Sequence, residues 1–261
     1  MQKLLIKGKK FLSGSISISG SKNATLPILA ASILNDKETV IKNIPFVNDV
    51  FTMLKLLNFV GLNTQIDKKR NFLKITKGKE KINTVAPYKI VKTMRAGVLL
   101  LGPLLAKYRK AKVSLPGGCA IGSRPVDLHL FVLKKLGAKI TIKDGYIHAS
   151  AKNGLIGNKI KFPSVSVGAT ENAIIAASQA KGKTILSNCA IEPEIKDLTN
   201  FLNSAGAKIS WIGRTCKING VKTLNPTEYS VMADRIEAGT FCVAATLAKG
   251  NLKISNFDAK I

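Results

Sequence analysis

Three segments of the chain end alike, and this constrains the fold more than any other feature. MLKLLNFVGLNT (53–64), LFVLKKLGAKI (130–140) and LTNFLNSAGAKIS (198–210) each place apolar residues at helical spacing. A glycine suited to a helix C-cap follows, then a short run of β character. The glycines are Gly61, Gly137 and Gly206, 76 and 69 residues apart. A helix of small residues followed by a strand precedes two of them: PILAASILNDKETVIKNIP (27–45) and NAIIAASQAKGKTILSNCA (172–190). Such helices allow close backbone packing and are expected to be buried. Asn43 lies 18 residues before Gly61, and Asn188 lies 18 before Gly206. In the middle copy AKVSLP leads to Gly137, and Leu115 aligned with Asn43 gives 22, so about four extra residues fall in PGGCAIGSRP. A helix–strand–helix–strand unit used three times implies an α/β domain with three-fold internal pseudosymmetry.

A fourth copy begins at AGTFCVAATLAKGNLKISNF (238–257), where Asn256 matches Asn43 and Asn188. Its next helix and glycine would fall beyond Ile261, so the expectation is a unit that needs further chain to bury its apolar face. The strand-like run at residues 2–19 lies outside the three-fold pattern and needs a partner.

The formal charge of +26 raises the question of nucleic acid. The lysines are spread along the whole chain, aromatic residues are only 6%, and no basic block or helix-turn-helix appears. The charge therefore reads as a solvated basic surface, one that draws in anionic substrates. The apolar run at 97–106 is too short to span a bilayer. The first twenty residues alternate apolar and polar and lack the features of a secretory signal, so a cytoplasmic protein is expected. Cys119, Cys189, Cys216 and Cys242 show no CxxC spacing, which argues against a metal site. The last three sit among apolar residues and are expected to be buried, inert thiols.

Five stretches carry groups suited to chemistry. GSKNATLP (20–27) puts Lys22 and Asn23 at a helix N-terminus, where backbone N–H groups and the helix dipole favour an anion. A plain capped helix is the alternative. KTMRAGVLLLGP (92–103) holds Arg95 alone in an apolar helical stretch, either as a phosphate or carboxylate ligand or in a structural ion pair. LPGGCAIGSRPVDLH (115–129), the inserted loop, sets Cys119 between glycines and close to Arg124, an environment that favours a thiolate or an anionic substrate. An incidental loop cysteine is the alternative. His129 reads as a partly exposed helix residue and His148 as structural. SVSVGATENA (164–173) offers another helix N-terminus, with Thr170 and Glu171 near its start. Glu192, Glu194, Asp197, Asp234, Arg235 and Glu237, in EPEIKD and MADRIEAGT, read as solvated charges at helix entries.

Together these strings, in this order and over nearly all of the chain, resemble the enolpyruvyl transferases of the UDP-N-acetylglucosamine type that act in peptidoglycan synthesis. The cysteine loop is the most specific of them. The resemblance implies an inside-out α/β barrel of two domains, each of three units. Residues 21–232 would form the first domain, and 1–20 with 233–261 would be parts of the second. It implies transfer of the enolpyruvyl group of phosphoenolpyruvate to the 3-hydroxyl of UDP-N-acetylglucosamine, with no cofactor and no metal. Lys22, Asn23 and Arg124 would hold phosphoenolpyruvate. Cys119 would protonate its methylene carbon and be open to alkylation by fosfomycin. Asn23, Arg95, Arg124, Pro125, Val126, Asp127 and Leu128, with Ser164, Val165, Ser166 and Val167, match positions that bind the UDP-sugar. Ser164 stands where some relatives carry lysine. The family's general-base aspartate and further arginines match nothing up to Ile261, so one wall of the cleft is expected here, completed by further chain or by a separate one. Two other readings stay open: a 5-enolpyruvylshikimate 3-phosphate synthase-like transferase, and a fragment that binds UDP-sugar without turnover.

Overall fold

The structure is a computed structural model that describes residues 3–5, 7–8, 11–92, 94–116 and 126–259. After strand β1 (Ser13–Ser17), the first unit is helix α1 (Lys22–Ala31), a 3-10 turn (Ser32–Leu34), β2 (Thr39–Lys42), α2 (Asn48–Phe59), β3 (Leu62–Asp67) and β4 (Phe72–Lys77). The second unit has β5 (Val85–Ala86), a short α3 (Tyr88–Val91), and a 3-10 helix (Arg95–Leu100) that runs into α4 (Leu101–Tyr108). It continues with β6 (Lys110–Ser114), α5 (Asp127–Lys135), β7 (Lys139–Lys143) and β8 (Tyr146–Ser150). The third is β9 (Lys159–Lys161), α6 (Val167–Ala177), β10 (Lys183–Ser187), α7 (Pro193–Ser204), β11 (Lys208–Ile212) and β12 (Thr215–Asn219). Strand β13 (Thr227–Ser230), helix α8 (Arg235–Leu247) and β14 (Asn251–Ser255) follow.

Each unit forms one four-stranded sheet with the same connectivity: β13-β2-β4-β3, β5-β6-β8-β7 and β9-β10-β12-β11. The first pair is parallel and the other two are antiparallel in every case. The hairpin partners β4, β8 and β12 add one strand per unit to the repeat read from the sequence. In the second and third sheets the parallel strand comes from just upstream. In the first it is β13, which returns from the far end of the third unit.

Small side chains decide which helices lie inside. Residues 24–31 of α1 and 169–177 of α6 are all buried, so these two helices, like the 3-10 helix and α4, are enclosed by protein. Helices α2 and α7 bury one apolar face each, through Met53, Leu56 and Leu57 and through Ile195, Leu198 and Leu202. The architecture thus has helices inside and sheets outside. Among the described residues the strands do not close into one hydrogen-bonded barrel, because each sheet ends at its own edges.

The repeated asparagines have a physical reason. Asn43, Asn188 and Asn256 follow β2, β10 and β14 and take positive φ values of 56°, 59° and 54°. Each Nδ2 donates to a backbone carbonyl at the parallel neighbour: Val231 O (2.8 Å), Phe162 O (2.9 Å) and Ile18 O (2.6 Å). Asparagine tolerates the left-handed region and carries the donor that staples the two strands. Gly61, Gly137 and Gly206 all have φ near 100°, as the helix C-cap reading requires.

Strands β1 and β14 form a separate parallel pair, Ser13↔Asn251 to Ser17↔Ser255. Helix α8 buries only Ala238, while Ile236, Val243 and Leu247 are exposed. Cys242 lies on this uncovered helix and is exposed, contrary to the expectation from its apolar neighbours; Cys189 and Cys216 are buried as expected. Among the described residues no helix is long and apolar enough to cross a membrane.

Candidate active site

The repeat brings three equivalent helix starts to one place. A cavity of about 340 Å³ is lined by Asn23 at the start of α1, by Arg95 at the start of the 3-10 helix, and by Val167 and Gly168 at the start of α6. Ser21 Oγ caps α1 by accepting from Ala24 N (3.3 Å), and Ser166 Oγ caps α6 by accepting from Ala169 N (3.4 Å). The first-turn N–H groups of α1 and α6 make this end of the cavity favourable for negative charge.

Lys22 begins α1, and its ammonium pairs with Asp49 Oδ2 at 3.1 Å with both side chains about 40% exposed. Its backbone N–H donates to Asp234 Oδ2 over 3.4 Å, while Asp234 Oδ1 caps α8 by accepting from Ile236 N (2.8 Å) and Glu237 N (3.2 Å). A carboxylate of the chain itself therefore stands at the first N–H of α1. Glu237 in turn accepts from the N–H and hydroxyl of Ser19.

The floor is built from groups of a different kind. Glu194 is 3% exposed and accepts a two-pronged contact from Arg235, Nε at 3.0 Å and Nη2 at 3.3 Å. Glu192 Oε2 is buried and meets no donor among the described residues. Glu171 is also buried. Burial first, then the nearby Glu194 and Glu192, pushes its carboxyl up to about 8, so it is a neutral acid at pH 7. His129 is buried too, and desolvation followed by the charge of Arg95 holds its imidazole down to about 4, hence neutral. Asn172 Nδ2 lies 3.1 Å from His129 Nδ1 and donates to Val98 O at 3.1 Å, tying α6 to α5 and to the 3-10 helix. A Cβ on Gly168 would come within 3.2 Å of the His129 ring, so glycine lets the start of α6 lie against it. The cavity combines a cationic rim with a buried floor where neutral Glu171 and His129 lie beside Glu192 and the Glu194–Arg235 ion pair, which suits a ligand with an anionic part at the rim and an uncharged polar part below.

Of the site residues expected from the sequence, Asn23, Arg95 and Val167 line this cavity; Arg95 is exposed at a 3-10 helix start, not inside a continuous α-helix. Lys22 lies beside it at the α1 terminus. Val126, Asp127 and Leu128 form the entry to α5, and Ser164, Val165 and Ser166 the approach to α6, both next to lining residues and outside the lining itself. Cys119, Arg124 and Pro125 lie outside the described residues. Two sequence readings need correction. His129 is not partly exposed, because Gly168 and Asn172 pack on its ring. Glu194 and Asp197 are not solvated: Glu194 is buried against Arg235, and Asp197 accepts from Tyr229 Oη at 2.6 Å and from Met232 N at 3.3 Å. Glu171 and Asn172 acquire roles that sequence reasoning did not assign. The available signal was two adjacent polar residues inside an otherwise apolar, alanine-rich helix. Among the described residues no group of three or more His, Cys, Asp or Glu side chains is arranged to hold a metal ion.

Comparison with known proteins agrees on one family. The chain is 60% identical over 262 residues to a UDP-N-acetylglucosamine 1-carboxyvinyltransferase of Pelagibacter ubique (strain HTCC1062), covering 100% of this chain and 62% of that protein. It is 53% identical over 263 residues to the protein of the same name from Rickettsia bellii (strain OSU 85-389), with the same coverage. The chain thus spans 62% of the length of these curated relatives. Two solved structures share its fold. One is the enolpyruvyl transferase NikO from Streptomyces tendae (TM-score 0.81, 21% identity, 94% of this chain and 57% of that one). The other is EPSP synthase from Acinetobacter baumannii (TM-score 0.73, 20% identity, 91% and 54%). The family model for EPSP synthase (3-phosphoshikimate 1-carboxyvinyltransferase) matches residues 6–261, and the chain belongs to this family of enolpyruvyl transferases.

Proposed function

We propose that this chain supplies one wall of a cytoplasmic UDP-N-acetylglucosamine 1-carboxyvinyltransferase, which moves the enolpyruvyl group of phosphoenolpyruvate to the sugar 3-hydroxyl and releases phosphate. The observation that carries this reading is 60% identity, over the whole chain, to a relative of that name. The cavity at the three helix starts agrees with it chemically: Asn23 and Arg95 at a cationic rim, neutral Glu171 and His129 among the floor groups, and a volume on the scale of one sugar. On this reading Lys22 and Arg124 neutralise the carboxylate and phosphate of phosphoenolpyruvate during addition. Cys119 delivers a proton to the methylene carbon. Asn23, Arg95, residues 124–128 and residues 164–167 hold the UDP-sugar. Residues 21–232 form one domain of three units, and the β1–β14 pair with α8 belongs to a second, whose remaining parts complete the cleft. The reaction then feeds peptidoglycan synthesis, and Cys119 is the site of fosfomycin alkylation.

The test is the rate of Cys119 alkylation by fosfomycin, followed by mass spectrometry with and without UDP-N-acetylglucosamine. The expected result is a rate that depends on the nucleotide sugar and a Cys119→Ala variant that takes up no adduct at that position. An unchanged rate at saturating nucleotide sugar sinks the assignment. The family description and the fold shared with EPSP synthase favour a second reading, with shikimate 3-phosphate as acceptor. At 20% identity that likeness speaks for the fold alone, and tighter binding of shikimate 3-phosphate than of UDP-N-acetylglucosamine would select it.

A further inference from the structure

The floor of the cavity holds a side chain that neither the helix caps nor the ion pairs use. Glu171 sits in the first turns of α6, is 6% exposed and lines the cavity. Its carboxyl makes no hydrogen bond to any described residue; its neighbours act on it only through charge and burial. The charged and titratable groups that face it are Glu192 and Glu194 from the start of α7, His129 from α5, Arg95 from the 3-10 helix and Arg235 from α8, while α1 contributes the uncharged Asn23. Arg235 is committed to Glu194. A buried carboxyl with no partner is costly unless something completes it.

The surroundings decide what that something is. A phosphate or carboxylate on the floor would meet the Glu192 carboxylate and is disfavoured by like charge, since Arg235 is already taken up by Glu194. A bound cation would be opposed by Arg95. An uncharged group with hydroxyl or amide functions meets neither objection. A protonated carboxyl serves it twice, donating through its O–H and accepting at its C=O.

We propose that Glu171 is a specificity-determining contact for the uncharged, hydroxyl- and amide-bearing end of the sugar nucleotide, holding it on the cavity floor while the phosphates stay at the cationic rim. This rests on the sugar-nucleotide reading above and adds a residue and an orientation to it. The neutral state at pH 7 fits the double role, since an ionised Glu171 loses its donor. Discrimination of this type is strong because a missing ligand group leaves the buried carboxyl unpaired again.

The experiment is calorimetric titration of the 261-residue chain and of two variants, Glu171→Gln and Glu171→Leu, with UDP-N-acetylglucosamine and separately with UDP, from pH 6 to pH 9. Each variant is first checked for a cooperative urea transition. The isosteric amide keeps a donor and an acceptor, so Glu171→Gln reports even if the leucine variant fails to fold. Expected results are that Glu171→Leu weakens UDP-N-acetylglucosamine about tenfold and leaves UDP unchanged. The unsubstituted chain loses affinity for the nucleotide sugar, and not for UDP, above about pH 8. Glu171→Gln binds within about threefold of the parent and shows no such loss. Equal effects on both ligands, full affinity in Glu171→Leu, or a pH dependence that survives in Glu171→Gln overturn the inference alone. Failure of the unsubstituted chain to bind UDP-N-acetylglucosamine at all overturns the sugar-nucleotide reading and this inference with it.

Discussion

Replacing Gly102 by alanine tests how tightly the inner helices are set. Gly102 lies in α4 against α6, and a Cβ there would stand 2.3 Å from Asn172 Oδ1 and 2.8 Å from the Asn172 backbone oxygen. The side-chain oxygen can move only if the carboxamide gives up its contacts with Val98 O and His129 Nδ1, each 3.1 Å long. Those are worth about 1 kcal/mol apiece. The backbone oxygen cannot swing, so α4 and α6 must separate, which for an overpacked core costs about 1–3 kcal/mol. Alanine regains roughly 1 kcal/mol of helix propensity over glycine. The balance is a loss of about 2–4 kcal/mol. Equilibrium urea unfolding followed by circular dichroism measures it as the shift in midpoint at constant slope. A variant as stable as the parent would mean that α4 and α6 are not in contact at this point, and the geometry assigned to Asn172 and His129 would fall with it.

The asparagine staple separates backbone strain from hydrogen bonding: Asn188→Gly should lose about 1 kcal/mol for the missing donor, and Asn188→Ala about 2 kcal/mol because alanine also resists positive φ. Urea melts of the two should rank in that order, and equal losses would remove the conformational part of the account. Glu171 has a folded pKa near 8, raised from an ordinary 4.5, so its contribution is fully present below pH 4.5 and is lost as pH rises toward 8. Glu171→Gln should therefore gain on the parent between pH 5 and pH 8, by a few kcal/mol at most. His129, lowered from 6.5 to about 4, acts in the opposite sense, adding stability above pH 6.5 that is lost as pH falls toward 4. A stability difference between the parent and Glu171→Gln that does not change with pH would refute the buried neutral acid. In a Cys119→Ser background, maleimide should label Cys242 in the native protein and spare Cys189 and Cys216 until urea is added. Both of the latter are buried, and burial pushes the Cys189 thiol up to about 11 and the Cys216 thiol higher still. Rapid native labelling at either would contradict the packing of β10 against β12.

The repeat was readable because it rests on local chemistry that recurs. Gly61, Gly137 and Gly206 end helices, and Asn43, Asn188 and Asn256 turn the chain at equivalent points, whatever surrounds them. The helix starts at Lys22 and Val167 were readable for the same reason, since a capping serine is a local signal. The floor of the site was not, because Glu194 and Asp197 look like solvated helix-entry charges until Arg235 and Tyr229 arrive from 41 and 32 residues away. His129 followed the same rule: its burial depends on a missing side chain at Gly168, a feature of another unit. Cys242 failed in the other direction. An apolar neighbourhood in sequence does not bury a thiol when α8 is packed on one side only.

Strand β13 gives the first sheet its parallel edge by pairing Thr227–Ser230 with Thr39–Lys42, across some 188 positions of chain. The second and third units find their parallel strands within a few tens of residues. On a ribosome, β2 must therefore wait with an open flank until nearly the entire three-unit body has emerged. Shortening the chain to stop before Thr227 would remove that closing strand and leave the oldest segment ready to accept a strand from another molecule. The last short strand of the body thus takes over the outer edge of the first sheet and makes β2 an interior strand.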